Sequence, residues 1–288
     1  MACRAVTPVT RQGTSMAAMS WRSRVNKALV KTTGYRIVRV RPGQNGKAPA
    51  PKPPAPPKPA PAKPGYPVDY DEMAIPILRE VSPYTRTRAE KKYALYLATR
   101  YIVENKIPGA VVECGVWRGG SMHLVARTLD AIGDTSRELY LFDTFEGMTP
   151  PTDKDVTFTG KPVAELLEGQ PKTARIWAVA SLEDVKQGFE KVPYPDDKIH
   201  FVKGTVEETL PGQAPDEIAI LRLDTDWYES TRHELVTLYD RLVPGGVLII
   251  DDYGSFQGAK QAVDEFVAET GARLLLIPIG PGRIAVKP

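Results

Sequence analysis

The sequence predicts an α/β fold: one mostly parallel sheet with helices on both faces. Three observations carry this. Five apolar runs, "AVVEC" (110–114), "ELYLFD" (138–143), "IHFVKG" (199–204), "IAILRLD" (218–224) and "GVLIID" (246–251), are hydrophobic at nearly every position, as strands buried on both faces are. Segments with helical periodicity alternate with these runs, the pattern that builds a parallel sheet from crossover units. The chain then closes on "RLLLIPI" and "RIAVKP", which read as a hairpin.

In chain order, "TRAEKKYALYLATRYIVENK" (87–106) is a helix stopped by Pro108-Gly109. "SMHLVARTLDAI" follows the first strand, and "LEDVKQGFEKV" leads to the third. "ESTRHELVTLYDRL" and "AKQAVDEFVAET" follow the fourth and fifth. Residues 144–172, rich in Pro, Gly and Thr, are too long for a plain connector and read as a lid. No internal repeat is visible.

Charge divides the chain. Residues 1–64 hold thirteen of the 38 Lys and Arg and none of the 35 Asp and Glu. Residues 1–47 read as a basic leader, disordered or in part an amphipathic helix around Trp21, Val25, Ala28 and Leu29, suited to peripheral contact with a membrane or partner. Residues 48–65 read as a linker; 48–64 contain only Pro, Ala and Lys, which favours an extended polyproline spacer. Residues 66–288 form the expected folded domain. Cys3 and Cys114 lie too differently for a disulfide, no apolar run is long enough to span a membrane, and no secretory signal is evident, so a cytoplasmic location is expected. Met16 and Met19 are alternative starts. No nucleic-acid partner is expected; residues 66–106 are a candidate homodimer contact.

The first strand ends in "ECGVWRGGS": Glu113, Gly115, Gly119, Gly120 and Ser121. Gly115 and Gly119 are four apart, so this is not the dinucleotide fingerprint, and an acid precedes the glycines. A ligand with both ammonium and carboxylate suits that arrangement. Glu113 would take the ammonium and the Gly119–Ser121 amides the carboxylate, which fits the methionine end of S-adenosylmethionine. Asp143, 28 residues after Gly115 at the tip of the second strand, is placed for ribose hydroxyls, or is a turn residue. Gly204 to Val206 are small residues where an adenine would lie flat.

The fourth and fifth strands each stop at paired acids: "LRLDTDWYEST" and "LIIDDY". Asp224, Asp251 and Asp252 would converge at the edge of adjacent strands and repel one another unless a cation sat among them. Hard oxygen donors suit Mg²⁺; the competing reading has single acids capping the following helices. Asp226 is placed as the general base for a hydroxyl, or as a further ligand or supporting group. His233 is the alternative base. No Cys/His zinc cluster, phosphate loop or serine-hydrolase elbow is present.

"VVECGVWRGGS", "YLFDTFEGM", "LRLDTDWYEST" and "PGGVLIIDDYG", in this order and spacing, resemble the macrocin O-methyltransferase family, over roughly residues 70–288. The resemblance implies the class I methyltransferase Rossmann-like sheet with an antiparallel last strand from "RIAVKP". It further implies S-adenosylmethionine as cofactor and Mg²⁺ on Asp224, Asp251 and Asp252, with Asp226 as base. The implied reaction is O-methylation of a sugar hydroxyl on a glycoside or glycan. The alternatives are a methyltransferase for catechol-like phenols, whose kind uses a lysine base absent from "DTDWYEST", and a non-catalytic scaffold tethered by its basic tail.

Overall fold

A computed structural model describes residues 65–288; the leader and all of the spacer but Gly65 lie outside the described residues. Fifteen helices and strands order the domain. They are α1 (Ala74–Glu80), α2 (Ala89–Glu104), β1 (Ala110–Cys114), α3 (Gly120–Ala131), β2 (Leu139–Asp143), α4 (Val163–Leu167), α5 (Leu182–Phe189) and β3 (Ile199–Lys203). After these come α6 (Val206–Thr209), β4 (Ile218–Leu223), α7 (Tyr228–Leu238), β5 (Leu242–Ile250), α8 (Gln257–Thr270), β6 (Ile277–Ile279) and β7 (Gly282–Val286). The sheet runs β3-β2-β1-β4-β5-β7-β6. The first five strands pair in parallel, and β7 enters antiparallel against β5. Strand order reverses between β1 and β4, so the C-terminal edge opens a crevice there.

The burial pattern explains the apolar runs. Every residue of β1 and β4 is buried. One face of the sheet packs its apolar side chains against α1, α2, α3 and α5 through Leu78, Leu95, Ile102, Leu124 and Val185. The other face meets α7 and α8 through Leu235, Leu238, Val263 and Phe266. Much of the apolar side of residues 66–106 is thus spent in the core of the same chain, with Val68, Met73 and Leu97 left exposed.

Three expectations need correction. The "RLLLIPI" strand shortens to Ile277–Ile279, because only these residues pair with β7 across the turn; Leu275 is 76% exposed. β5 begins four residues early, at Leu242, and the two glycines at 245 and 246 lie within it. Helix α1 was not anticipated, since "AIPILRE" carries Pro76. That proline sits in the first turn, where a missing N–H costs no intrahelical bond.

Candidate active site

Parallel register brings the ends of β1, β4 and β5 level. Glu113 pairs with Arg222 and Cys114 with Leu223 across β1–β4, and Leu223 pairs with Ile250 across β4–β5. The amides of Asp224 and Asp251 continue the ladder, donating to Cys114 O and Leu223 O at 2.9 Å each. Gly115 turns away at once with φ +81°; a Cβ there would stand 2.2 Å from Asp224 O. Only glycine lets the first loop cross the end of β4 this closely.

Above this edge lies a cleft of about 520 Å³. Gly115, Ser121, Asp143, Gly204, Val206, Asp224, Asp226, Asp251 and Asp252 all line it, so nine of the expected site residues come together. Glu113, Gly119 and His233 do not line it. Glu113 is 1% exposed; one of its oxygens accepts from Arg222, and the other, Oε2, is buried with no hydrogen-bond partner among the described residues. Gly119 is the left-handed N-cap of α3, facing Phe189 and His123. His233 sits half-buried in the second turn of α7.

Asp143 lines the cleft with its carboxylate already at work. One oxygen accepts from the amides of Val116 (2.8 Å) and Trp117 (3.0 Å), the other from Phe145 (2.7 Å). It staples the glycine loop to the end of β2, so any ribose contact would use its remaining lone pairs.

The acids at the floor are not alone. Arg222, the one charged residue inside β4, is 2% exposed. It donates to Asp224 Oδ2 (2.7 Å), Asp251 Oδ1 (2.6 Å), Thr87 Oγ1 (3.3 Å) and Glu113. Lys91, from the first turn of α2, donates to the carboxylate and the carbonyl of Asp251. The cation that the clustered acids require is therefore supplied in part by the chain itself. It is not enough: five carboxyls, Glu113, Asp224, Asp226, Asp251 and Asp252, face two cations. Burial, then the other carboxylates, push Asp252 well above the usual range, and push Asp226 up to about 8. Burial raises Asp224 in the same way despite Arg222. Asp251 alone is held low, because Arg222 and Lys91 outweigh its burial.

This imbalance fits a divalent cation. Asp224, Asp251 and Asp252 each offer an oxygen, all within 4.8 Å of one another. Asp252 Oδ2 is buried with no hydrogen-bond partner, a position a hard cation would satisfy. Asp226 lies beside Asp252, carboxyl to carboxyl, on a backbone with φ +69°. Such a left-handed residue at a site is stored strain that aspartate tolerates better than most.

Residues 144–172 form one wall. Thr149 O accepts from Trp227 Nε1 (2.9 Å), and Asp155 Oδ1 accepts from the first amide of α7, Tyr228 N (2.8 Å). Val156 O accepts from Gln257 N at the start of α8, and Phe158 N donates to Ser255 O in the loop before it. Val163, Leu167 and Trp227 then close a small apolar cluster with Met148, Trp177 and Phe256. The segment is thereby tied to both aspartate loops.

Sequence reasoning missed Lys91, and a signal existed. Leu95, Ala98 and Ile102 mark the buried stripe of α2, and Lys91 lies one turn before Leu95 on that stripe. A lysine on a core-facing stripe needs a partner. Thr85 to Arg88, Trp117, Thr225, Trp227 and Phe256 also line the cleft, with no comparable signal.

Among known proteins, the Macrocin-O-methyltransferase (TylF) family profile matches residues 81–279. The chain is 38% identical over 170 residues to the 8-demethyl-8-(2,3-dimethoxy-alpha-L-rhamnosyl)-tetracenomycin-C 4'-O-methyltransferase of Streptomyces olivaceus, across 59% of this chain and 62% of that protein. It is 32% identical over 160 residues to the mycinamicin III 3''-O-methyltransferase of Micromonospora griseorubida, across 56% of this chain and 61% of that protein. These matches span less than two thirds of either relative's length. In three dimensions it is similar to the O-methyltransferase NovP, with a TM-score of 0.63 and 30% identity over 71% of this chain and 82% of that one. The profile covers more than half of the chain, and the chain belongs to the macrocin O-methyltransferase family.

Proposed function

We propose that this protein is an S-adenosylmethionine- and Mg²⁺-dependent O-methyltransferase acting on a sugar hydroxyl of a glycoside or glycan. One observation carries the reading: Asp224, Asp251 and Asp252 offer oxygens within 4.8 Å of one another at the floor of a cleft, with Asp226 beside them. When bound, S-adenosylmethionine would supply an activated methyl group and Mg²⁺ the positive charge that acidifies a hydroxyl.

The chain supplies the rest. Gly115, Ser121, Asp143 and Gly204 to Val206 line the cofactor end, with Asp143 holding the glycine loop rigid. Asp224, Asp251 and Asp252 hold the cation, and Arg222 and Lys91 lock Asp251 in place. Asp226 accepts the proton of the hydroxyl that is methylated. Residues 144–172 act as the lid, excluding water from the developing charge. Lys91 does put a lysine in the cleft, as a phenol methyltransferase would need, but its ammonium is engaged twice on Asp251. Sugars therefore remain the favoured acceptors, and the rhamnosyl group in the name of the Streptomyces olivaceus relative supports them. Residues 66–288 are the catalytic domain, and residues 1–65 tether it. Among the described residues no helix is long and apolar enough to cross a membrane.

Thermal melting of the full chain tests this. S-adenosylhomocysteine at a hundred times its Kd should stabilise by about 2.7 kcal/mol, raising the midpoint by roughly 5–10 °C for a domain of this size. NAD at the same concentration should do nothing, and a shift with NAD instead would sink the assignment. A second result is expected from Asp252→Asn. Its Mn²⁺ affinity, by titration calorimetry, should fall at least about 100-fold, since even supporting groups of metal sites are worth 10–100-fold. Adenosylhomocysteine binding should stay; unchanged metal affinity would remove Asp252 from the ligand set.

A further inference from the structure

We propose that the acceptor is anionic, a glycosyl group bearing a phosphate ester that Arg86 and Arg88 hold at the mouth of the cleft. This deepens the methyltransferase reading and rests on it.

Acids outnumber bases by ten in residues 65–288, and part of the Lys and Arg there pair with them. Lys91, Arg100, Arg118, Arg127 and Arg137 each form an ion pair. Arg86 and Arg88 form none among the described residues, although both line the cleft and both are exposed. They belong to "TRTR" (85–88), all four residues of which face the same space.

The geometry around Arg86 is that of a waiting fork. Its guanidinium carbon lies over the Trp117 ring, 4.2 Å from the centroid, and among the described residues its N–H groups find no acceptor. Its charged neighbours are Arg175, which repels it, and Asp226, which attracts it. An anion arriving beside Arg86 and Arg175 would relieve their mutual repulsion. A planar fork matches phosphate oxygens bidentately, and a neutral hydroxyl has no comparable use for it. The guanidinium lies near enough to Asp226 to feel its charge.

Two other sources of the same chemistry exist, a uronic carboxylate and the carboxylate of the cofactor, and the test separates them. The full-length enzyme, saturated with adenosylhomocysteine and Mg²⁺, is titrated calorimetrically with glucose 1-phosphate, glucuronate and methyl α-glucoside. The phosphate ester should bind at least about tenfold tighter than the neutral glucoside, as charge-assisted contacts allow. That advantage should vanish in the Arg86→Gln/Arg88→Gln variant with adenosylhomocysteine affinity unchanged. Equal affinity for ester and glucoside, or no measurable binding of either, overturns the proposal. Tighter binding of glucuronate overturns the phosphate assignment. Loss of adenosylhomocysteine affinity in the variant overturns it too, by giving the arginines to the cofactor. Failure of the wild-type chain to bind adenosylhomocysteine at all would instead sink the methyltransferase reading beneath it.

Discussion

Arg222→Met should lower the melting temperature by about 6–20 °C. Arg222 is a buried guanidinium touching three carboxylates, Glu113, Asp224 and Asp251. Methionine fills much of the same volume, so the loss is electrostatic rather than a cavity. Removing one partner of a buried ionic network costs about 3–5 kcal/mol, because the remaining charges stay buried unpaired. For a domain of this size each kcal/mol is worth roughly 2–4 °C. Two controls identify the cause. Adding Glu113→Gln to Arg222→Met should recover part of the loss, since it removes a carboxylate the arginine served; residues in one network are not additive. Added Mg²⁺ should also recover part, since it brings positive charge to Asp224 and Asp251. A midpoint within about 2 °C of wild type would mean that the guanidinium does not hold this site together.

The same arginine shows where sequence legibility ends. Strand positions were readable because both-face burial leaves near-continuous apolar runs, and β1 to β5 fall where those runs lie. The aspartates were readable because a strand that ends in paired acids breaks that rule abruptly. Arg222 was visible as an intrusion, but its partners come from β1, β5 and the loop before α2, and one sequence does not show cross-strand register. For this reason the pairing of one Glu113 oxygen with Arg222 could not be foreseen. Lys91 carries the same lesson for helices: its stripe was legible, its partner 160 residues away was not. The wall formed by residues 144–172 was legible only as length and composition. Its anchor, Asp155 on the first amide of α7, is an acid that local pattern does not distinguish from Asp153 two residues earlier.

Asp226→Asn should reduce the rate of methyl transfer by at least about 100-fold and by as much as 10⁴-fold, the range a positioned general base contributes. The substitution isolates proton acceptance. Asparagine matches aspartate in shape and, like it, tolerates the left-handed backbone at φ +69°, so the turn between Asp224 and Trp227 should persist. Alanine would confound the result by straining that turn and emptying the space beside Asp252. The variant should keep adenosylhomocysteine and Mn²⁺ affinities, and with any glycoside the wild type turns over, kcat should fall while KM changes little. That split separates the two roles open to this residue. A ligand to the cation would lose metal affinity along with rate, and excess metal would restore part of the activity. A base would lose rate alone, beyond rescue by metal. A fall of less than about tenfold with metal binding intact would leave Asp226 with neither role, and the proton would have to go elsewhere. His233, half-buried on α7 and outside the cleft lining, is poorly placed to receive it.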